Sequence, residues 1–168
     1  MGRIPERIEF AIKTLEARDG DRVAEIGCGY GLALALLLRS GKFSAYGIDR
    51  SEHAVARANQ LNAAEIAAGR IEIARRDLAE PPQAPFDRVF AVNVNVFWRD
   101  PTNAFTWAQQ WIVPGGVLLL VFDAPSPRKL SQIVHSLSSA PLIEPFLFGG
   151  CRSSGKSTLA ALKFRLPE

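Results

Sequence analysis

The sequence predicts an α/β fold, a doubly wound and mostly parallel sheet with helices on both faces, formed as one domain over residues 1–168. Three observations carry that prediction. From Arg22 onward, short β-branched or apolar runs alternate with stretches of helical spacing, the pattern of repeated βα units. The first of these runs ends in glycines that lead directly into a helix-length apolar stretch. Finally, VLLLVFD at 117–123 is apolar almost throughout, as a central parallel strand buried on both faces must be. A chain of 168 residues that is 48% hydrophobic can bury one core but is short for two.

Taken in order, Ile4, Ile8, Ala11, Ile12 and Leu15 recur at helical spacing, with Pro5 suited to a first turn and Gly20 to a stop. RVAEI is the first strand, GCGYG the turn, and LALALLLRS a buried helix that stops at Gly41. FSAYGID is the second strand. SEHAVARANQLNAAEIAAG reads as one continuous helix opened by a Ser51 cap, and RIEIARRDL as the third strand. After the proline-rich EPPQAPFD, the run RVFAVNVNVF is the fourth strand, with Asn93 and Asn95 on one face of it. Asp100 and Pro101 start the helix TNAFTWAQQWI, PGG ends it, and VLLLVFD is the fifth strand. SPRKLSQIVHSLSS is a helix with Leu130, Ile133, Val134 and Leu137 on one face. IEPFLFGG and STLAALKFRLP then form a hairpin, since Ala160, Leu162, Phe164 and Leu166 alternate with Ala161, Lys163 and Arg165.

Composition excludes several function classes. The net charge is +3 and the pI about 9.1, but the arginines stand singly or in pairs such as Arg75-Arg76, a solvated surface rather than a nucleic-acid footprint. The two cysteines, Cys28 and Cys151, are far apart and no Cys/His cluster has metal-ligand spacing, so no metal is expected. Charges interrupt the apolar stretch at the N-terminus, so no signal peptide or membrane span is read, and the cytoplasm is the expected location.

Two glycine-rich stretches compete for a phosphate-bearing or nucleotide-like ligand. From Gly150 the chain matches the phosphate-loop pattern G-x-x-x-x-G-K-[ST]. That loop must open a helix, whereas the residues after Ser157 alternate like a strand, so turn residues in a hairpin are the expectation and Arg152 and Lys156 are at most a basic rim. The other stretch, AEIGCGYG at 24–31, lies between a strand and a helix. Glycines there let a ligand approach the backbone, and the helix start adds free amides. A dinucleotide fingerprint G-x-G-x-x-G would need glycine where the chain has Leu32, which argues against an NAD oxidoreductase.

Glu25 followed by Gly27, Gly29 and Gly31 resembles the first motif of the class I S-adenosylmethionine-dependent methyltransferases, an acidic residue followed by G-x-G-x-G. The resemblance continues through Asp49 at the end of YGID, Asp77 and Leu78 in RRDL, the FDRVFAVNVNVFWRDP stretch and VPGGVLLLVFD, so it covers about Arg22 to Phe122. It implies a Rossmann-like methyltransferase fold with a seven-stranded sheet in the order 3-2-1-4-5-7-6, strand seven antiparallel, and S-adenosylmethionine as cofactor without metal. It implies cofactor contacts by Glu25, Gly27, Cys28, Gly29, Tyr30, Gly31, Asp49, Arg50, Asp77, Leu78 and Asn93. Of these, Asp49 would hold the ribose hydroxyls, a task for a carboxylate that can accept two hydrogen bonds from a vicinal diol; Asp77 would reach the adenine amino group; and Leu78 would offer its backbone amide to the ring.

The acceptor site of this fold lies beyond the carboxyl ends of strands four and five, which places Asn95, Phe97 and Trp98 there. NVFW is reminiscent of the N-P-P-[YFW] element of amino-group methyltransferases, but Val96 and Phe97 replace both prolines, so an aromatic pocket for a small-molecule acceptor is the reading. Neither His53 nor His135 stands where it would serve as a base, which leaves catalysis by proximity and orientation in an open cleft, with room for a second copy to cover it. RNA or protein as acceptor, or a cofactor-binding module without turnover, are the alternatives.

Overall fold

The computed structural model describes residues 3–138, 145–146, 152–154 and 157–168. In chain order the elements are α1 (Glu6–Leu15), β1 (Arg22–Ile26), α2 (Leu32–Ser40), β2 (Ser44–Asp49), α3 (Glu52–Leu61), α4 (Ala63–Ala67), β3 (Ile71–Arg75), β4 (Phe86–Val92), α5 (Val96–Arg99), α6 (Pro101–Gln109), β5 (Ile112–Ala124), α7 (Pro127–Ser138), β6 (Pro145–Phe146), β7 (Arg152–Ser154) and β8 (Ser157–Arg165). The strands form one sheet in the order β3-β2-β1-β4-β5-β8-β6, with β7 also paired to β8. The first five are parallel neighbours. β8 runs antiparallel to β5 from Val117↔Arg165 to Ala124↔Thr158.

Alternation along the central strands divides the core between the two faces. Leu118, Leu120 and Phe122 of β5 join Phe97, Phe105, Leu130 and Ile133 on the face covered by α5, α6 and α7. Leu119 and Val121 join Leu15, Leu34, Leu37 and Ala58 on the face covered by α1, α2 and α3. This two-sided burial explains why β5 is apolar without a break. The carboxyl end of α1 is tied to the sheet by two half-buried to buried cations. Lys163 Nζ donates to Thr14 O (3.2 Å) and to Glu16 Oε2 (2.6 Å). Arg88 Nη1 donates to Leu15 O (3.3 Å), and its Nε to Asp21 Oδ2 (2.7 Å). Positive charge at that end complements the carbonyls that a helix leaves unpaired.

The structure departs from the sequence reading in four places. The long helix after Ser51 breaks at Asn62 into α3 and α4. The fourth strand ends at Val92, because Asn93 adopts a left-handed backbone (φ 57°) and the following residues turn into α5; Asn93 and Asn95 therefore do not share a strand face. PGG lies inside β5 and not at a helix end, where the register against β4 jumps from Phe86↔Ile112 to Arg88↔Val117, a bulge. Among the described residues there are eight strands where seven were expected: the run entering the hairpin contributes β6 and the serine-rich stretch β7, while the expected order is otherwise kept, with β8 in the place of strand seven.

The phosphate-loop match is settled by the same hairpin. Ser154 pairs with Ser157 and Ser153 with Thr158, and a strand follows where that loop would need a helix. Cys151 and Lys156 lie outside the described residues, and Arg152 is described only as a backbone position of β7.

Candidate functional site

β1 delivers the chain into the glycine turn, and backbone hydrogen bonds fix the turn's shape. Cys28 N donates to Ile48 O (2.9 Å) and Gly31 N to Cys28 O (2.9 Å). Asp49, the last residue of β2, accepts from Gly29 N through Oδ2 and from Ser51 N through Oδ1, each at 2.9 Å. One carboxylate thus sets both the glycine turn and the start of α3. Gly27 has φ +68°, and a Cβ there would stand 2.6 Å from Val94 Cγ2, so only glycine lets β1 pass this close to the end of β4.

At the carboxyl ends of the parallel strands, where ligands of open α/β sheets bind, lies a cleft of about 320 Å³. It is lined by Ile26 and Gly27, by Ile48, Asp49 and Arg50, by Arg76, Asp77 and Leu78, and by the residues from Val92 to Val96. A larger groove of about 530 Å³, with Arg22, Tyr46 and Phe86 in its wall, is at the opposite ends of β2, β3 and β4, where this architecture does not bind ligands.

Of the sequence-predicted residues, the cleft brings together Gly27, Asp49, Arg50, Asp77, Leu78, Asn93 and Asn95. Glu25, on β1 just before the turn, is 4% exposed, and its Oε2 has no hydrogen-bond partner. Burial, with Asp49 nearby as a like charge, pushes its carboxyl well above the usual range. Cys28 is buried in the turn, and burial together with Glu25 and Asp49 raises its thiol so far that it is no nucleophile. Gly29 and Gly31 shape the turn. Tyr30 is 58% exposed with its ring edge-on to His53 at 6.1 Å. Arg50 reaches Asp77 only at 3.7 Å, a surface contact.

On the acceptor side the expectations are partly corrected. Phe97 is fully buried, edge-on to Phe105 at 6.0 Å, so it presents nothing to an acceptor. Trp98 remains half-buried: its Nε1 donates to Asn95 Oδ1 (3.3 Å), its carbonyl accepts from Ser136 Oγ (2.7 Å), and Lys129 Nζ lies 3.8 Å from the ring centroid. Asn93 Oδ1 accepts from Asp123 N (2.7 Å), which ties the ends of β4 and β5 together.

Four further residues were not read from sequence. Trp111, fully buried, donates its Nε1 to Leu78 O (3.0 Å) and so fixes the segment after β3. Val94 and Val96 line the cleft, though alternation assigned them to a strand. Asn62 holds the carbonyl of Gly31; an asparagine amid the alanines of a helical run is the signal that could have found it.

A family model described as a methyltransferase domain matches residues 23–116. The chain belongs to this methyltransferase domain family. Among curated relatives, it is 30% identical over 114 residues to the ubiquinone biosynthesis O-methyltransferase of Alkalilimnicola ehrlichii, an alignment covering 67% of this chain and 45% of the relative. The chain thus spans about half the length of such relatives. Its fold is the Rossmann-like methyltransferase fold. The crystal structure of the [4+2]-cyclase SpnF superposes with a TM-score of 0.79 at 17% identity, covering 95% of this chain and 79% of that one. A methyltransferase from Geobacter sulfurreducens in complex with S-adenosylhomocysteine superposes with a TM-score of 0.62 at 20% identity, covering 74% and 51%. Within this methyltransferase domain, the described residues contain no group of three or more His, Cys, Asp or Glu able to hold a metal, and no helix long and apolar enough to cross a membrane.

Proposed function

We propose that the chain is a single S-adenosylmethionine-dependent methyltransferase domain that acts in the cytosol on a small-molecule acceptor. The observation that carries this reading is the single cleft joining the Gly27 turn, Asp49, the Asp77–Leu78 segment and the end of β4. S-adenosylmethionine supplies a methyl group on a cationic sulfonium, already activated for in-line displacement.

The residues present fit that cofactor. Asp49 keeps a lone pair on each oxygen beyond the two backbone N–H groups it accepts, and offers both to a ribose diol. Leu78, with its carbonyl tied to Trp111, presents backbone to the adenine edge beside Asp77. The orphaned Oε2 of Glu25 lies buried just before the turn, and a cationic ligand there would favour the ionised carboxylate that burial and Asp49 otherwise disfavour.

The chain's own work is orientation. Asn93, Val94, Asn95 and Val96 shape the cleft toward the acceptor, with Asn95 held by the indole N–H of Trp98. His53 faces Tyr30, and His135 is exposed on α7, so neither serves as base and proximity carries the rate. The O-methyltransferase relative supports a small hydroxylated acceptor.

Calorimetry with S-adenosylhomocysteine tests the reading: micromolar binding is expected, and no heat at millimolar ligand overturns it. Because the same fold houses a cyclase, turnover is tested separately, by methyl transfer from labelled cofactor into a small-molecule extract. Label recovered in RNA, with binding lost steeply between low and moderate salt, would replace the small-molecule acceptor.

A further inference from the structure

We infer that Asn62, which touches no face of the cleft, is a positioning residue for the cofactor turn; the inference rests on the cofactor reading above. Asn62 sits at the break between α3 and α4 and is 3% exposed. Its backbone closes one helix and opens the next: its N–H donates to Ala58 O (3.0 Å), and its carbonyl accepts from Glu65 N and Ile66 N at 3.0 Å each. Its side-chain amide does something a helix break does not require. Nδ2 donates to Ala58 O (2.9 Å) and across 31 residues of sequence to Gly31 O (3.2 Å).

Gly31 is the hinge between the glycine turn and α2. It has φ +72°, and its carbonyl already accepts from Ala35 N (3.0 Å), the first hydrogen bond of α2. A second donor on the same oxygen fixes the peptide plane between Gly31 and Leu32. The N–H of Leu32 lies in that same plane, pointing opposite to the carbonyl, and is then aimed by Asn62. The contact is tight from both sides, because a Cβ on Gly31 would stand 2.6 Å from Asn62 Nδ2 and 3.0 Å from Ala58 Cβ. The glycine therefore serves the approach of Asn62 as well as its own backbone conformation.

The cost of this arrangement argues for its purpose. Asn62 Oδ1 is buried with no partner, and the opposite amide orientation would set that oxygen against two carbonyls. A buried orphan acceptor destabilises a fold, so leucine, of similar shape, would serve packing alone better. An asparagine is explained by the donor it delivers to Gly31.

The test uses the whole chain with S-adenosylhomocysteine as probe. Wild type, Asn62→Leu and Asn62→Asp are compared by ligand-free thermal unfolding and by calorimetric Kd. Asn62→Leu is expected to unfold at or above the wild-type temperature while its Kd rises about tenfold, equivalent to about 1.4 kcal/mol. Asn62→Asp, which faces Gly31 O with an oxygen, is expected to bind more weakly still. A folded variant of either kind that binds within twofold of wild type overturns the inference, as does loss of the fold in both, which would make Asn62 a stability residue only. Absence of binding by the wild type overturns the cofactor reading, and this one with it.

Discussion

Replacing Glu25 by glutamine separates the energetics of folding from those of the ligand. The carboxyl lies 4% exposed with one oxygen unpartnered and Asp49 as a like charge, so ionisation is disfavoured in the ligand-free fold. The unfolded chain ionises this residue in the ordinary range near pH 4.3. Above that, folding takes up a proton, and stability falls as pH rises until the raised folded value is reached. Its full contribution is present only below the unfolded value. One proton corresponds to about 1.4 kcal/mol per pH unit, or about 3–6 °C in Tm for a domain of this size. Wild type is therefore expected to lose more than Glu25→Gln between pH 5 and 6, by up to that amount, measured by scanning calorimetry without ligand. With saturating S-adenosylhomocysteine, whose ammonium favours the ionised carboxylate, the difference should shrink. Parallel stability curves for the two proteins without ligand would refute the reasoning.

Three further outcomes follow from the geometry. Gly27→Ala meets both a left-handed backbone and Val94 Cγ2 at 2.6 Å; it should cost about 1–3 kcal/mol of stability and weaken S-adenosylhomocysteine binding, read by urea unfolding and calorimetry. Asp49→Asn replaces a charged acceptor of Gly29 N; binding should weaken by ten- to a hundredfold, in line with about 1.5–3 kcal/mol for a hydrogen bond to a charged group, while far-UV circular dichroism stays unchanged. Trp111→Phe keeps the stack with Phe86 (6.0 Å) but leaves Leu78 O without its donor; a loss of about 1–3 kcal/mol should appear in urea unfolding, and an unchanged midpoint would remove that bond as the anchor of the segment.

Local signals made much of this legible. Glycines between a β-branched run and an apolar helix located the turn, and the resemblance to the class I methyltransferases pointed to Asp49 at the end of the next strand. Unbroken apolarity marked β5 as central, which its two-sided core explains. What was not legible depends on residues distant in sequence. VNVNV alternates perfectly, yet the strand stops at Asn93 because its side chain bonds to Asp123 and Val94 fills the space over Gly27. Phe97 looked like an aromatic for an acceptor, and only the packing of α6 against α5 shows it to be core. Asn62 sat in a run whose helical spacing continued past it, and the Gly31 carbonyl that gives it a role is 31 residues away.

The anchor at the carboxyl end of α1 bears on how the chain assembles. Lys163, in the last strand, bonds to Glu16 across 147 residues of sequence, and β8 inserts between β5 and β6 as a central strand. During synthesis the first helix can pack on α2, β4 and β5 before the last strand exists, and the Lys163 tie at its carboxyl end forms only once β8 has paired with β5. The closure of so long a loop belongs to the slow, late part of folding. Truncation within β8 should accordingly loosen the carboxyl end of the first helix, leaving it held by Arg88 and by its packing on the central strands.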